Sequence, residues 1–216
     1  MAEPDLSLAP PLTPTPEGWL RTVQANFDEF LKDHASCEKK ASGMALAVAS
    51  HYPDQPGLLS AMTDLAVEEL SHYREVIRLM MARGVTPGAD SKDPYINELN
   101  QHVRRGSANF LMDRLLVGAV VERRGAERFA LIAEAFADST PPAGSATDAH
   151  AAKVHEDSRL ASFYRSIAAS EHRHWELFYR LAQTHSRSDD VPHRFAELNA
   201  IEGAIMLAQP LRSALH

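Results

Sequence analysis

Two short segments of the chain repeat one pattern, in which a histidine follows a glutamate by three residues. They run from Glu69 to His72 and from Glu171 to His174. Positions i and i+3 lie on the same face of an α-helix, so each segment presents one carboxylate and one imidazole to a single point. A single instance of this spacing often arises by chance, whereas two instances favour two metal ions held by helices.

The residues around the first motif indicate which polar side chains point inward. A stripe with the helical period is apolar except for Glu69 and His72, so we expect both to be buried. Glu68 falls on the neighbouring polar face and is expected to be solvated. The inward stripe consists of Met62, Leu65, Ala66, Glu69, His72, Tyr73, Val76 and Met80.

The second motif has the same environment. Glu171 and His174 belong to an apolar stripe, and His172 lies off it. Because a buried ionised carboxylate without a partner is energetically costly, each stripe requires a cation or a metal to compensate its glutamate. The second stripe consists of Leu160, Phe163, Tyr164, Ile167, Ala168, Glu171, His174, Trp175 and Phe178.

Carboxylate metal sites in helical bundles need one further glutamate from each of two other helices. The segment 108–136 provides Glu122, in a stripe whose glycines and alanines leave room for a metal centre. Glu127 is its competitor on this helix. It lies nearer the face of Arg123 and Arg124, so we expect it to be an ion-paired surface residue.

The segment 34–51 provides the fourth glutamate. Glu38 shares a face with several alanines and with His34, and pairing with Lys39 is disfavoured because adjacent helical residues do not face one another. We expect His34 to cap the helix or to pack in the core. With Glu38 added, the chain contains a glutamate followed by Glu-x-x-His twice, which predicts two halves of one dinuclear site.

Four carboxylates and two imidazoles form a hard, oxygen-rich ligand set that suits iron or manganese. Zinc stays open, because ligand type alone does not select the metal. The chain contains one cysteine, Cys37, which excludes an intramolecular disulfide and a cysteine-rich metal site. We expect Cys37 to be a packed small residue.

The composition predicts one globular, all-α domain. The chain has 216 residues, of which 44% are hydrophobic, and no segment shows a strand pattern. We expect a proline-rich arm over 1–16, disordered or draped, a helical domain over 17–210 and a tail over 211–216, with a loop from Ser139 to Ala152. The predicted helices cover 17–32, 34–51, 57–83, 108–136, 156–184 and 191–208.

The sequence also bears on location and assembly. It contains no apolar run of membrane-spanning length, and its first residues lack the basic and apolar parts of a secretory signal. We therefore expect a cytoplasmic protein with no membrane partner. We expect a compact monomer.

The chain resembles the family of tRNA hydroxylases that act on 2-methylthio-N6-isopentenyladenosine, which are ferritin-like diiron proteins. The likeness extends from about residue 16 to about residue 210, and no ligand position departs from the family pattern. It rests on the stretches Asp33–Ala41, Glu68–His72, Glu122–Arg124 and Ser170–Trp175.

This resemblance implies a ferritin-like four-helix bundle with additional N- and C-terminal helices. It also implies two iron ions, O2 as co-substrate, an external electron donor, and hydroxylation of the isopentenyl group on the adenosine beside the anticodon of tRNA. Apolar residues beside the ligands are candidates for the wall that receives the prenyl group: Leu115, Ala119, Phe163 and Ile167. The six expected metal ligands are Glu38, Glu69, His72, Glu122, Glu171 and His174.

Other functions share this ligand set. A ferroxidase or peroxidase of the ferritin or rubrerythrin type, a manganese catalase and a metal-storage protein stay open, although one cysteine excludes the cysteine-rich module of a rubrerythrin. The formal net charge of −7 is unfavourable for RNA binding unless basic residues cluster. The candidates for such a basic rim are Lys39, Lys40, Arg104, Arg105, Arg123, Arg124, Arg128, Arg165 and Arg173.

Overall fold

The computed structural model describes residues 9–90, 92–106, 109–138, 148–185 and 190–216. In this part of the chain every regular element is a helix, as predicted, and no strand is present. The helices are α1 (Glu17–Ala25), α2 (Phe27–His51), α3 (Pro56–Ala82), α4 (Pro94–Gln101), α5 (Phe110–Ala137), α6 (Asp148–His185) and α7 (Val191–Ala208).

The predicted boundary between the first two helices is wrong. The chain leaves helical geometry at Asn26, where φ is −137° and ψ is 49°, and α2 begins at Phe27. Apolar side chains nevertheless pack across this break. The Trp19 ring of α1 lies edge-on against the Phe30 ring of α2, with 6.2 Å between ring centroids. The packing of these rings thus spans the change of helix.

Two further differences concern the connections. The short helix α4 was not expected, and it begins after Asp93, whose Oδ1 accepts a hydrogen bond from the Tyr95 backbone N–H at 2.9 Å. Helix α6 begins at Asp148, so the predicted loop is wrong over 148–152. Its alanine-rich start favours a helix. The rest of that predicted loop, 139–147, lies outside the described residues.

The described chain forms two compact units. The α2–α3 unit comprises Pro16–Gln101 and Ile205–His216, which include α1 to α4 and the C-terminal residues. The α5–α6 unit comprises Met1–Thr15 and His102–Ala204, which include α5, α6 and most of α7. The division of the chain into an arm, one domain and a tail stays a prediction.

Within each unit, small residues bring two long helices together. In the α2–α3 unit, the Ser42 hydroxyl donates a hydrogen bond to the Ala66 carbonyl at 2.8 Å. In the α5–α6 unit, Gly118 lies against the Phe178 ring, where an added Cβ would come within 2.9 Å of a ring carbon. These close approaches fix the side chains that project from the facing surfaces of each pair.

A buried ion pair joins α5 to α7. The guanidinium of Arg124 donates to both carboxylate oxygens of Glu202, at 2.7 and 2.8 Å, and both side chains are fully buried. Arg124 also pairs with Glu127, which confirms the expected ion-paired role of Glu127. The Thr15 backbone N–H and hydroxyl both donate to Glu127, at 2.9 and 2.7 Å, so residues of the N-terminal arm contact α5.

The burial of two arginines corrects part of the predicted basic rim. Arg124 and Arg128 were candidates for an exposed basic rim, and both are buried. On α7, the side chain of Leu207 is 58% exposed. The inward face of α7 contains Glu202 together with the buried Phe195 and Leu198, and an analysis of apolar positions alone does not predict a buried charged residue.

We expect replacement of Arg124 by Met to lower the free energy of unfolding by about 3–5 kcal/mol, because the carboxylate of Glu202 is then buried without its cation. Arg124→Met combined with Glu202→Met should be less destabilised than Arg124→Met alone. Urea denaturation measures both. The exposed Arg21, replaced by Met, is the control and should change stability by about 0.5 kcal/mol or less. Equal losses in the single and double variants would contradict this expectation.

Candidate metal centre

The α2–α3 unit contains the first group of predicted ligands. Glu38 extends from α2, and Glu69 and His72 extend from one face of α3. All three side chains are buried, and one ligand atom of each lies within 4.8 Å of the others. We call these three residues the α2–α3 half-site.

The electrostatics of the α2–α3 half-site favour a cation. Burial lowers the pKa of His72, but the nearby carboxylates of Glu38 and Glu69 outweigh burial and raise that pKa to about 10. For Glu38, burial acts in the opposite direction and raises the pKa. Its interactions with His34 and His72 outweigh burial and hold that pKa below its ordinary value. The carboxylate of Glu38 is therefore ionised in an apolar surrounding, which stabilises positive charge placed beside it.

His34 has a role beyond the predicted capping or packing. Its side chain is fully buried, and its Nε2 lies 2.6 Å from Glu38 Oε1. This contact fixes one oxygen of Glu38 and leaves the other oxygen to face His72, 3.6 Å from its Nδ1. Outer partners of this kind orient the ligands of metal sites. The spacing of four residues between His34 and Glu38 was the available signal for it.

The α5–α6 unit contains the second group. Glu122 extends from α5, and Glu171 and His174 extend from one face of α6. All three are buried, with one ligand atom of each within 4.8 Å of the others. Gly125 leaves space beside Glu171, since an added Cβ would lie 3.8 Å from the Glu171 carboxylate. We call these three residues the α5–α6 half-site.

The burial predicted from the helical stripes is confirmed at both motifs. Glu69 is 1% exposed, whereas the side chain of its neighbour Glu68 is 40% exposed. His174 is 3% exposed, whereas the side chain of His172 is 62% exposed. The stripe analysis therefore chose the inward member of each adjacent pair.

The residues of each half-site fit a transition metal. Each half-site combines two carboxylates with one imidazole, the donor types that iron accepts. His72 Nδ1 lies 3.5 Å from Glu69 Oε2, and His174 Nδ1 lies 3.8 Å from Glu171 Oε2. These separations are long for hydrogen bonds. The separation between His72 and Glu69 is about the distance expected between two neighbouring ligand atoms that each bind one metal at ~2.1 Å.

The fold and the two half-sites define a class of protein, the ferritin-like carboxylate metalloproteins. A solved structure described as "Protein 43 with aldehyde deformylating oxygenase activity from Synechococcus" matches this chain with a TM-score of 0.77 and 29% sequence identity. The match covers 93% of each chain. The predicted fold class, a ferritin-like helical bundle with additional helices, is confirmed.

Comparison of the sequence with known proteins identifies the family of this chain. The family model "tRNA-(MS[2]IO[6]A)-hydroxylase (MiaE)" matches residues 10–140 and 144–216. A protein of Pseudomonas putida named tRNA 2-(methylsulfanyl)-N(6)-isopentenyladenosine(37) hydroxylase is 32% identical, over 88% of this chain and 85% of its own length. The protein of that name from Salmonella typhimurium is 25% identical, over 94% of this chain and 86% of its own length. The chain belongs to the MiaE family of tRNA hydroxylases.

A membrane-spanning helix is not found in the described residues. None of their helices combines the length with the apolar character that a bilayer crossing requires.

We expect Glu69→Gln to weaken iron binding far more than Glu68→Gln, because the Glu69 carboxylate is buried in the half-site, whereas the Glu68 side chain is 40% exposed and only approaches His72 Nε2 at 4.0 Å. Loss of an outer-shell partner alone weakens metal binding about 10- to 100-fold, so loss of a ligand should exceed this. His174→Ala and His172→Ala form the matching pair on α6. Anaerobic iron titration followed by metal analysis measures the effect. Full iron loading of Glu69→Gln or His174→Ala would show that the residue is not a ligand.

His34→Ala should weaken iron binding about 10- to 100-fold without preventing it, because Glu38 loses the partner that orients its carboxylate. His51→Ala is the control, since His51 lies at the exposed end of the same helix. The same iron titration, with circular dichroism to verify the helical content, distinguishes them. Unchanged affinity in His34→Ala would limit His34 to a packing role.

Proposed function

We propose that this protein hydroxylates the isopentenyl group of 2-methylthio-N6-isopentenyladenosine beside the anticodon of tRNA. The observation that carries the proposal is the family match, which includes every residue of both half-sites. The named activity of the Pseudomonas and Salmonella relatives is the second support. The buried carboxylate and imidazole groups supply the chemistry that such an activity needs.

The proposed ligands of two iron ions are the residues of the two half-sites. Glu38, Glu69 and His72 provide one set of three donors, and Glu122, Glu171 and His174 provide the other. Two bound ferrous ions would supply the reduction of O2 that hydroxylation of an unactivated C–H bond requires. One oxygen atom enters the substrate and the other leaves as water, so each turnover also consumes two electrons from an external donor.

The side chains around the half-sites serve this chemistry by excluding water and by holding the ligands in place. In the α5–α6 unit, Leu115, Ala119 and Ile167 are buried, as an apolar wall for a prenyl group requires. A dry surrounding strengthens the interactions between the glutamates and bound cations. His34 holds Glu38 in one orientation, so the carboxylate need not reorganise when metal binds.

The charge on α6 is compatible with an RNA substrate, despite the net charge of −7. Between residues 158 and 175 the only acid is Glu171, and it is buried. The exposed residues of the same stretch include Arg159, Arg165 and Arg173. The outer surface of this part of α6 is therefore locally basic, and arginines so placed bind phosphates. Lys39, by contrast, is already paired with Asp90 at 2.8 Å.

The fold by itself does not select this substrate. The Synechococcus neighbour has the same fold, and its name assigns it an oxygenase activity on aldehydes. A ferroxidase, a peroxidase and a metal-storage protein would use similar ligands, so the experiment must identify the product. The electron donor, the monomeric state and the cytoplasmic location stay predictions.

Nucleoside analysis of bulk tRNA provides the decisive test. Cells that lack this protein should accumulate the prenylated, unhydroxylated nucleoside, and the wild-type gene should restore the hydroxylated form. Glu122→Ala should fail to restore it, because one iron loses a carboxylate ligand, and Glu68→Gln should restore it fully. Unchanged hydroxylation in the deletion strain would refute the proposed function. Iron oxidation by purified protein, with no effect on tRNA, would support the ferroxidase alternative.

A further inference from the structure

A second cluster of metal-binding side chains lies in the α2–α3 unit. Cys37 of α2, Asp93 before α4 and His216 at the C-terminus each offer one ligand atom, and these three atoms lie within 4.8 Å of one another. None of the three belongs to the α2–α3 half-site. Cys37 precedes Glu38 in the chain, so their side chains project about 100° apart around the helix.

The imidazole of His216 is held as a metal ligand would be held. Its Nδ1 lies 3.1 Å from Asp93 Oδ2, and its ring stacks on Tyr95 with 4.6 Å between centroids and 4° between planes. The side chain is 4% exposed. Its Nε2 is buried and has no hydrogen-bond partner among the residues that the structure describes. Nδ1, which faces Asp93, is therefore the nitrogen that is placed to share a metal with that carboxylate.

The backbone around the cluster is fixed independently of any metal. The Trp19 indole N–H donates to the Ala214 carbonyl at 2.9 Å, and the Leu215 N–H donates to Asp33 Oδ2 at 2.7 Å. The Tyr95 N–H holds the other oxygen of Asp93. These bonds place His216 beside α2 before a ligand binds, so little conformational entropy is lost on binding.

We propose that Cys37, Asp93 and His216 bind a zinc ion, with water completing the coordination. One thiolate, one imidazole and one carboxylate form a mixed set that suits zinc better than the carboxylate-rich half-sites do. Asp93 is 16% exposed, which leaves access for the ion and for the water. Binding replaces the thiol proton of Cys37 with a sulfur–zinc bond and releases that proton to solvent.

A cluster held only by hydrogen bonds is the competing explanation. In that case Asp93 caps α4 and pairs with His216, and the Cys37 thiol donates weakly to Asp33 Oδ2 at 3.7 Å. The 3.1 Å between His216 Nδ1 and Asp93 Oδ2 is also about the separation of two neighbouring ligand atoms on one metal, so zinc would replace the hydrogen bond between them. Zinc also gives the cluster a consequence, since it ties the segment that contains His216 to α2 and to the start of α4.

The single cysteine provides a specific probe. Cobalt(II) substitutes for zinc, and a cobalt–thiolate bond produces a charge-transfer absorption in the near ultraviolet. Because Cys37 is the only cysteine in the chain, that band can arise only from this cluster, whatever metal the half-sites hold. The experiment adds cobalt(II) to iron-loaded protein without affinity tags, so that the iron ligands and the C-terminal residue are undisturbed.

We expect one cobalt–thiolate band per chain, which stoichiometric zinc abolishes. Cys37→Ser should eliminate the band, and His216→Ala and Asp93→Asn should weaken cobalt binding tenfold or more. His193→Ala is the control, since His193 is an exposed histidine on α7. Zinc should raise the melting temperature of wild type but not that of Cys37→Ser. Absence of the band in wild type would overturn the proposal, and so would unchanged cobalt affinity in His216→Ala and Asp93→Asn.

Discussion

Burial of ionised carboxylates inside pairs of helices is the constraint on which the rest of this structure depends. Glu38 and Glu69 lie inside the α2–α3 unit, and Glu122 and Glu171 lie inside the α5–α6 unit. A carboxylate removed from water without compensation costs more free energy than most single interactions return. Positive charge is therefore required beside the glutamates of each helix pair. The histidine of each half-site adds an imidazole nitrogen there, which is a donor that suits a metal.

The chain compensates its buried acids in two ways, and this difference explains which of them are structural. Glu202 is as deeply buried as the half-site glutamates, but Arg124 donates two hydrogen bonds to it and neutralises its charge within the protein. Glu38, Glu69 and Glu171 lie instead beside half-site imidazoles, Glu38 and Glu69 beside His72 and Glu171 beside His174. The first arrangement stabilises a fold. The second places imidazoles beside carboxylates, which are donor types that suit a bound metal.

Helical periodicity predicted much of this, because the inward faces of long helices follow from local sequence. It separated Glu69 from Glu68 and His174 from His172, and it found Glu38 and Glu122. It failed where the deciding partner is distant in sequence or where geometry changes at one residue. The Arg124–Glu202 pair joins residues on different helices, and the break at Asn26 interrupts no apolar stripe. His34 was underestimated, since its hydrogen bond to Glu38 depends on a rotamer that sequence does not specify.

The likeness to a solved protein whose name assigns it aldehyde deformylating oxygenase activity indicates that this fold does not by itself select the substrate. If a similar helical fold serves both an aldehyde and a tRNA nucleoside, then the half-sites determine the oxidative chemistry and other residues determine what reaches it. Helix α6 contains both proposed metal ligands and exposed arginines. Its inner face contains Glu171 and His174, and its outer face over the same turns exposes Arg165 and Arg173. In the proposed function, groups suited to phosphate and groups suited to a metal therefore lie on one helix, at a separation that the helix keeps constant.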